Sequence, residues 1–531
     1  MGMKIIGLKV HTSMLFGLLA AALFATIVFA EEPTPGYNNP IPPKIMTPDN
    51  VETRIGTLEL FDGLPSEETV EKVYENLNFI RGVEVFLNFI PATSIEGIRL
   101  GMEEMDATKS NQALIFDQLM DSNPLFLTGN TDTVYVSVIL DLERDGATVI
   151  EIPPDTGPST VNDAFFRFVT DMGAPGPDRG KGGIYVILPP DYDGDINPPE
   201  GGMEAEMEIG GVMRKVFVSK SKSYTNWLIM RGFLIDGKPD GSTKLFKDGL
   251  KVYPLSKSTN PPTMEFIIGS NKVFNTIHAN NFEFYKELDR VLQKEPIDFI
   301  DPELRGQAAS IGIQKGKKFE PDERMKDTLE EAVTVGNATA RAILFQSREP
   351  DTYLYENSYW ATPFIGGDYR WLKDKGDGGR YLDARTLFFY GATVNTPAMA
   401  MKIVGKGSQY AYNARDKNGD YLYGDKTYKL NIPANVPAKD FWSVVAYDPQ
   451  TRSELQTGQK FPSKNNLRDK LTVNPDGSVD IYFSPEPPEG KESNWIETVP
   501  GKGWMVLIRL YGPLEPWFDK TWQPGEIELL D

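Results

Sequence analysis

Cysteine is absent from the 531-residue chain, and histidine occurs only at His11 and His278. Those two scarcities exclude much chemistry. There can be no disulfide framework, no thiol nucleophile, no Cys-rich zinc site and no iron–sulfur cluster. A catalytic zinc held by several histidines is excluded with them, and a Ser-His-Asp arrangement would rest on His278 alone. That residue lies in FNTIHANNFEFYKEL, where a packed or helix-capping imidazole is the expected role. Positive charge is also short. Lys and Arg number 55 against 75 Asp and Glu, a formal charge of −20 with no long basic run. A surface that tracks phosphates needs clustered Lys and Arg, so no nucleic-acid partner is expected.

One long apolar run is present, at the start. Lys4 and Lys9 precede an apolar stretch from Met14 to Phe29, and Val28-Phe29-Ala30 offers small residues where a signal peptidase would cut. Residues 1–30 are expected to be a signal peptide, which places the protein in the periplasm or outside the cell. An N-terminal anchor is the competing reading. No later segment reaches the roughly 18 apolar residues of a membrane helix, so no stable insertion is expected after cleavage.

Residues 31–50 carry six prolines and no apolar period, as an extended tether would. Ser66 reads as a helix N-cap before Glu67 and Glu68, with apolar residues at helical spacing from Val70 to Leu87 and Pro91 as the stop. A second helix is expected from Ile95 to Met105. From Val134 to Leu140 the period becomes two, the mark of a strand, and Ala147–Ile152, Ala164–Thr170, Gly183–Leu188 and Val212–Val218 follow as strands. Helical spacing returns near Phe282–Leu292 and over 321–346. The β rhythm resumes after 386, at Leu387–Tyr390, Tyr428–Ile432, Trp442–Tyr447, Val479–Phe483 and Met505–Leu510. The expected fold is mainly β with helical additions. It comprises two antiparallel jelly-roll-like β-sandwich domains, at 51–269 and 350–531, with a helical segment at 270–349 between them.

Several segments resemble known families. NTDTVYVSVILDL (130–142) followed by VIEIPP (149–154) resembles the bacterial domain of unknown function 1254. The stretch DKNGDYLYGDKTYKLNIPANVPAKDFWSVVAYD (416–448), with DGSVDIYF (476–483) and NWIETVPGKGWMVLIRLYGP (494–513), resembles its usual C-terminal companion, the domain of unknown function 1214. Where such proteins often carry Gly-Pro after LDL, this chain has Glu143-Arg144-Asp145-Gly146-Ala147. The resemblance implies two jelly-roll-like sandwiches in an exported homo-oligomer, with a trimer as the expected assembly. It supplies no activity, so function has to be read from sites.

Among candidate sites, the mouth of the best strand stands out. Asn130, Asp132 and Tyr135 bring an amide, a carboxylate and a phenol to one strand start, with Asp132 and Tyr135 as candidate catalytic acceptor and donor. Asn130, Tyr359, Trp360 and Arg380 are the candidate ligand-binding residues, the last three forming an opposite wall. A capped strand start is the structural alternative for Asp132. Asp141, Asp163, Asp368, Asp448 and Asp480 are further carboxylates that two-carboxylate chemistry could use. No cofactor is expected. Calcium is the one metal left open, through Asp191-Tyr192-Asp193-Gly194-Asp195 and Asp416-Lys417-Asn418-Gly419-Asp420, which hairpin turns also explain. Three classes remain: a binding protein for a polar or aromatic small molecule or glycan, a carboxylate-dependent hydrolase of a carbohydrate or other polar compound, and a structural homo-oligomer of the envelope.

Overall fold

The computed structural model describes residues 41–530, so the expected signal peptide and the first half of the tether lie outside the described residues. The chain divides into two compact units between Lys72 and Val73. In the first, Asn50–Thr53, Gly56–Phe61 and Leu64–Pro65 form a three-stranded antiparallel sheet. Ser66 caps the following helix as its residue type predicts, its Oγ accepting the Thr69 N–H at 3.1 Å.

The helix runs from Glu67 to Glu104 without the break expected at Pro91. A proline in mid-helix removes the N–H that would bond to the carbonyl four residues back. Here that orphan is the Leu87 carbonyl, which accepts the Thr386 hydroxyl at 3.5 Å, and Thr93 bonds back to the Phe89 and Ile90 carbonyls. Side chains therefore replace the missing backbone bond, and the helix continues.

The second unit is β-rich with helical additions. Two sheets face each other in its N-terminal part. One is ordered Glu265–Ile268, Gln112–Ile115, Val134–Asp141, Thr225–Gly232, Ser159–Asp163, Phe168–Met172; the other, Met203–Ile209, Val212–Lys220, Gly183–Leu188, Thr148–Ile152, Lys251–Pro254. Val134, Val136, Val138 and Leu140 meet Ile150, Ile152, Tyr185 and Ile187 between them. Each such fully buried aliphatic side chain contributes about 1.5–3 kcal/mol. The C-terminal part repeats the plan. Ser408–Asn413, Met505–Pro513, Ala438–Tyr447 and Ser463–Asn465 face Trp495–Glu497, Val479–Ser484, Tyr428–Ile432 and Glu528–Leu529, with Val444, Ile481, Phe483, Trp504 and Ile508 in the core.

Three strand pairs are parallel rather than antiparallel: Val212–Lys220 with Gly183–Leu188, Glu265–Ile268 with Gln112–Ile115, and Val479–Ser484 with Trp495–Glu497. The sheets are thus mixed, where antiparallel ones were expected. The run Leu387–Tyr390, expected as a strand, lies in the helix Leu382–Gly391. Every residue from Ala384 to Gly391 is buried, so no polar face remains to reveal a helical period. Of Ala164–Thr170, also expected as one strand, residues 164–167 form the turn between Ser159–Asp163 and Phe168–Met172, and only residues 168–170 are extended. Between the sandwiches run the helices Glu283–Lys294, Pro302–Ser310 and Glu323–Phe345. They join the outer faces of the two sandwiches in one core that holds Phe86, Tyr135, Trp227, Phe284, Phe388, Tyr410 and Tyr447. No helix among the described residues is long and apolar enough to cross a membrane.

Candidate functional site

A cavity of about 670 Å³ opens where the turn after Ser159–Asp163 approaches the segment 369–395. The turn is fixed by Asp163, whose Oδ1 accepts the N–H groups of Phe165 and Arg167 at 2.8 and 2.9 Å and whose Oδ2 holds the Arg167 guanidinium at 2.6 Å. Opposite, Asp368 accepts the Arg370 N–H at 2.7 Å and its guanidinium at 2.9 Å, and these bonds hold the Asp368 carboxyl below its ordinary range despite partial burial. Asp163 and Asp368 are therefore engaged in positioning arginines. Helix Leu382–Gly391 adds Arg385 and Phe389, and the loop after it adds Asn395.

Three bulky residues around this cavity have left-handed backbone: Phe166 (φ 55°) and Trp371 (φ 57°) in its wall, and Val394 (φ 72°) next to Asn395. A β-branched or aromatic residue in that region costs of order 1–3 kcal/mol, and such strain concentrates at ligand clamps. Here it turns the chain sharply at the positions that place Arg167, Arg370 and Asn395 on the wall.

The electrostatics run against those of the chain. Lys220, Lys222, Arg167, Arg370, Arg380 and Arg385 line the cavity, against Asp163, Glu200, Asp298 and Asp301. Arg380 and Arg385 form no ion pair among the described residues. Arg380 donates to the Arg370 carbonyl, and Arg385 Nη2 donates to Asn88 Oδ1 at 2.6 Å. Arg385 is 6% exposed, and burial, with the repulsion of Arg380, pushes its guanidinium down to about 10. Four buried polar atoms on lining residues have no protein partner: Arg167 Nη2, Trp371 Nε1, Arg385 Nε and Asn395 Oδ1. Three of the four are N–H donors. Such atoms cost about 1–3 kcal/mol each when unsatisfied.

Asp132, Asn130 and Tyr135 come together elsewhere, in a buried hub. Asp132 is fully buried. Its carboxylate accepts the Ser443 hydroxyl at 2.5 Å, the Tyr511 hydroxyl at 3.2 Å and the Asn465 amide at 2.9 Å. Asn130 Nδ2 donates to the Tyr135 hydroxyl, and Asn130 Oδ1 accepts the backbone N–H groups of Asp132 and Thr133. Arg509 donates to the carbonyls of Thr128 and Gly129 and, at 2.7 Å, to the Tyr447 hydroxyl. Burial raises the Tyr410 phenol, but Arg231 and Arg509 outweigh it and hold that phenol below its ordinary value. Burial, reinforced by Asp132, drives Glu454 well above its ordinary value.

Residues 110–254 match the family described as Protein of unknown function (DUF1254), and residues 407–515 match Protein of unknown function (DUF1214). The chain carries a DUF1254 region followed by a DUF1214 region. No curated protein matches the chain. Among solved structures it is similar to the VPA0106 protein of Vibrio parahaemolyticus at 16% identity, over 85% of this chain and 100% of that one, with a TM-score of 0.48. An uncharacterised protein from Burkholderia cenocepacia aligns at 12% identity over 86% and 96% of the two chains, with a TM-score of 0.38. The Asp132 hub bolts the DUF1254 region to the DUF1214 region, since every donor to its carboxylate from outside its own turn comes from the latter. The cavity draws instead on the DUF1254 region and on the residues between the two matches.

The remaining candidates lie apart from Asp132. Trp360 is buried in the C-terminal sandwich with its Nε1 donating to the Gly525 carbonyl at 3.0 Å, and Arg415 lies over the Tyr359 ring. Arg380 alone of the three lines the cavity. His278 is packed against Phe86 and Phe284, and burial lowers it to about 3, so it is a neutral core residue. Asp416 Oδ1 accepts the N–H groups of Asn418 and Asp420, the geometry of a turn, and no metal-binding group of three or more His, Asp or Glu occurs among the described residues. Sequence reasoning missed Arg167, Arg370, Arg385 and Asn395. A usable signal existed, in that Arg370, Arg380 and Arg385 crowd into one aromatic stretch of an acidic chain.

Proposed function

We propose that the protein binds an anionic small organic molecule in the cavity lined by Arg167, Arg370, Arg380 and Arg385. The observation that carries this reading is Arg385. A buried guanidinium with no carboxylate in ion-pair contact is costly, and an anionic ligand would offset that cost. Bidentate carboxylate recognition suits arginine, and the unpartnered N–H groups of Arg167 and Arg385 add donors of the same kind. A volume near 670 Å³ falls within the range of organic-ligand pockets, and Phe165, Phe389 and Trp371 offer apolar surface to the body of such a molecule. With residues 1–30 read as a signal peptide, the ligand would be met in the periplasm or outside the cell.

The test is calorimetric titration with a panel of organic acids (benzoate, D-galacturonate and D-glucuronate) against the full chain and Arg380→Gln. Arg380 is exposed, so its replacement leaves the fold in place. At least one acid is expected to bind, more weakly as salt rises, and to lose at least tenfold in affinity in the variant. No binding by any acid, or binding indifferent to Arg380→Gln, would overturn the proposal.

A further inference from the structure

We infer that the ligand is a hydroxylated organic acid of the sugar-acid class, one carboxylate on a ring that carries several hydroxyls. This rests on the anion-binding reading above and narrows it. The key residue is Asn395. Its Nδ2 donates to the carbonyls of Phe166 and Tyr369 at 2.9 and 2.8 Å, which fixes the orientation of the amide. Its backbone is locked in turn, the N–H donating to Asn162 Oδ1 at 3.0 Å and the carbonyl accepting Asn162 Nδ2 at 2.6 Å. What is left is Oδ1, a buried acceptor with no donor in the protein. An organic acid with neither hydroxyl nor N–H groups, such as benzoate, has only acceptors to offer at neutral pH and cannot satisfy it. A sugar hydroxyl can.

Two further features agree. The cavity places acceptors beside its cations: Asp298, Asp301 and Glu200 share the lining with the arginines. A ligand that was anionic throughout would be repelled by these carboxylates, whereas hydroxyls donate to them. Trp371 brings an indole whose Nε1–H is buried and unpartnered, and whose φ of 57° is held at an energetic cost. An aromatic face with a free donor suits a ring that is apolar on its C–H side and polar at its edge. A hydroxylated acid answers all three demands: charge for the arginines, donors for Asn395 and the carboxylates, and an oxygen for the indole.

The experiment compares three ligand types by calorimetry on the full chain at neutral pH: the uronates D-galacturonate and D-glucuronate, their neutral counterparts D-galactose and D-glucose, and benzoate. At least one uronate is expected to bind tenfold or more tighter than both its neutral counterpart and benzoate, and that advantage over the neutral sugar is expected to shrink in Arg380→Gln. Benzoate binding as tightly as the uronates overturns the sugar-acid inference and leaves the anion-binding proposal standing. Neutral sugars binding as tightly as the uronates overturns both, as does the absence of binding by every member of the set.

Discussion

Replacing Arg385 by methionine should cost the fold little or nothing while removing the ligand site. Burial pushes the guanidinium from its ordinary value down to about 10. At about 1.36 kcal/mol per pH unit, its charged form carries a penalty of about 3 kcal/mol in the folded state. Both folded and unfolded arginine are protonated at pH 7, so the penalty is fully present there; it recedes only as pH climbs above about 10. Methionine abolishes it and fills much of the same volume. Against that gain stands the loss of one charge-assisted hydrogen bond, to Asn88, worth about 1.5–3 kcal/mol. The two nearly cancel, so Arg385→Met should lie within about 1.5 kcal/mol of the parent. Urea denaturation at pH 7 reads this as an almost unchanged midpoint at constant slope. A loss of 3 kcal/mol or more would mean that the guanidinium is fully compensated in the fold, and would refute the claim that it waits for an external anion.

Three other outcomes follow from the same geometry. Asp132→Asn removes the charge that three donors converge on, and should cost about 2–4 kcal/mol in denaturation while leaving uronate affinity within twofold; lost affinity at unchanged stability would make Asp132 a ligand group. Burial raises Glu287 and Glu295 to about 7, so their stabilising contribution is complete below about pH 4.5 and is lost as pH rises through 7. His278, lowered to about 3, acts oppositely, its contribution present above 6.5 and lost as pH falls. Stability should accordingly fall between pH 5 and 7, and Glu287→Gln should lessen the fall by up to about 1.4 kcal/mol per pH unit; an identical slope in parent and variant would contradict this. A Cβ on Gly407, at φ 68°, would overlap the Ala398 carbonyl oxygen, so Gly407→Ala should lose about 2 kcal/mol or more, and an unchanged urea midpoint would show that the loop yields.

Local rules made the strands legible wherever one face carried the pattern. Gly183–Leu188 and Tyr428–Ile432 emerged with the bounds expected from their alternation and flanking turns. Val134–Asp141 was found too, but its second face, also buried, gave no hint of the aromatic core on that side, because Tyr135 and Ser137 look like solvent-facing residues in sequence. Pro91 misled because the bond it removes is replaced by Thr386, far along the chain. The site was hidden for a related reason. Asn130, Asp132 and Tyr135 are neighbours in sequence and caught the eye, yet the carboxylate's partners lie some 300 residues away and make it a fastening. The cavity's arginines needed tertiary structure to converge. Only their crowding between 370 and 385 was visible beforehand.

The make-up of the cavity wall bears on how such proteins could diverge. Asp298, Asp301, Arg370, Trp371, Arg380, Arg385 and Asn395 all fall between residues 254 and 407, outside both matched regions, while the turn with Arg167 falls inside the first. The shared architecture thus contributes a fixed jaw, and the intervening stretch contributes the movable vocabulary set against it. Chains that keep both regions and rewrite only that stretch would hold the same scaffold around a different ligand.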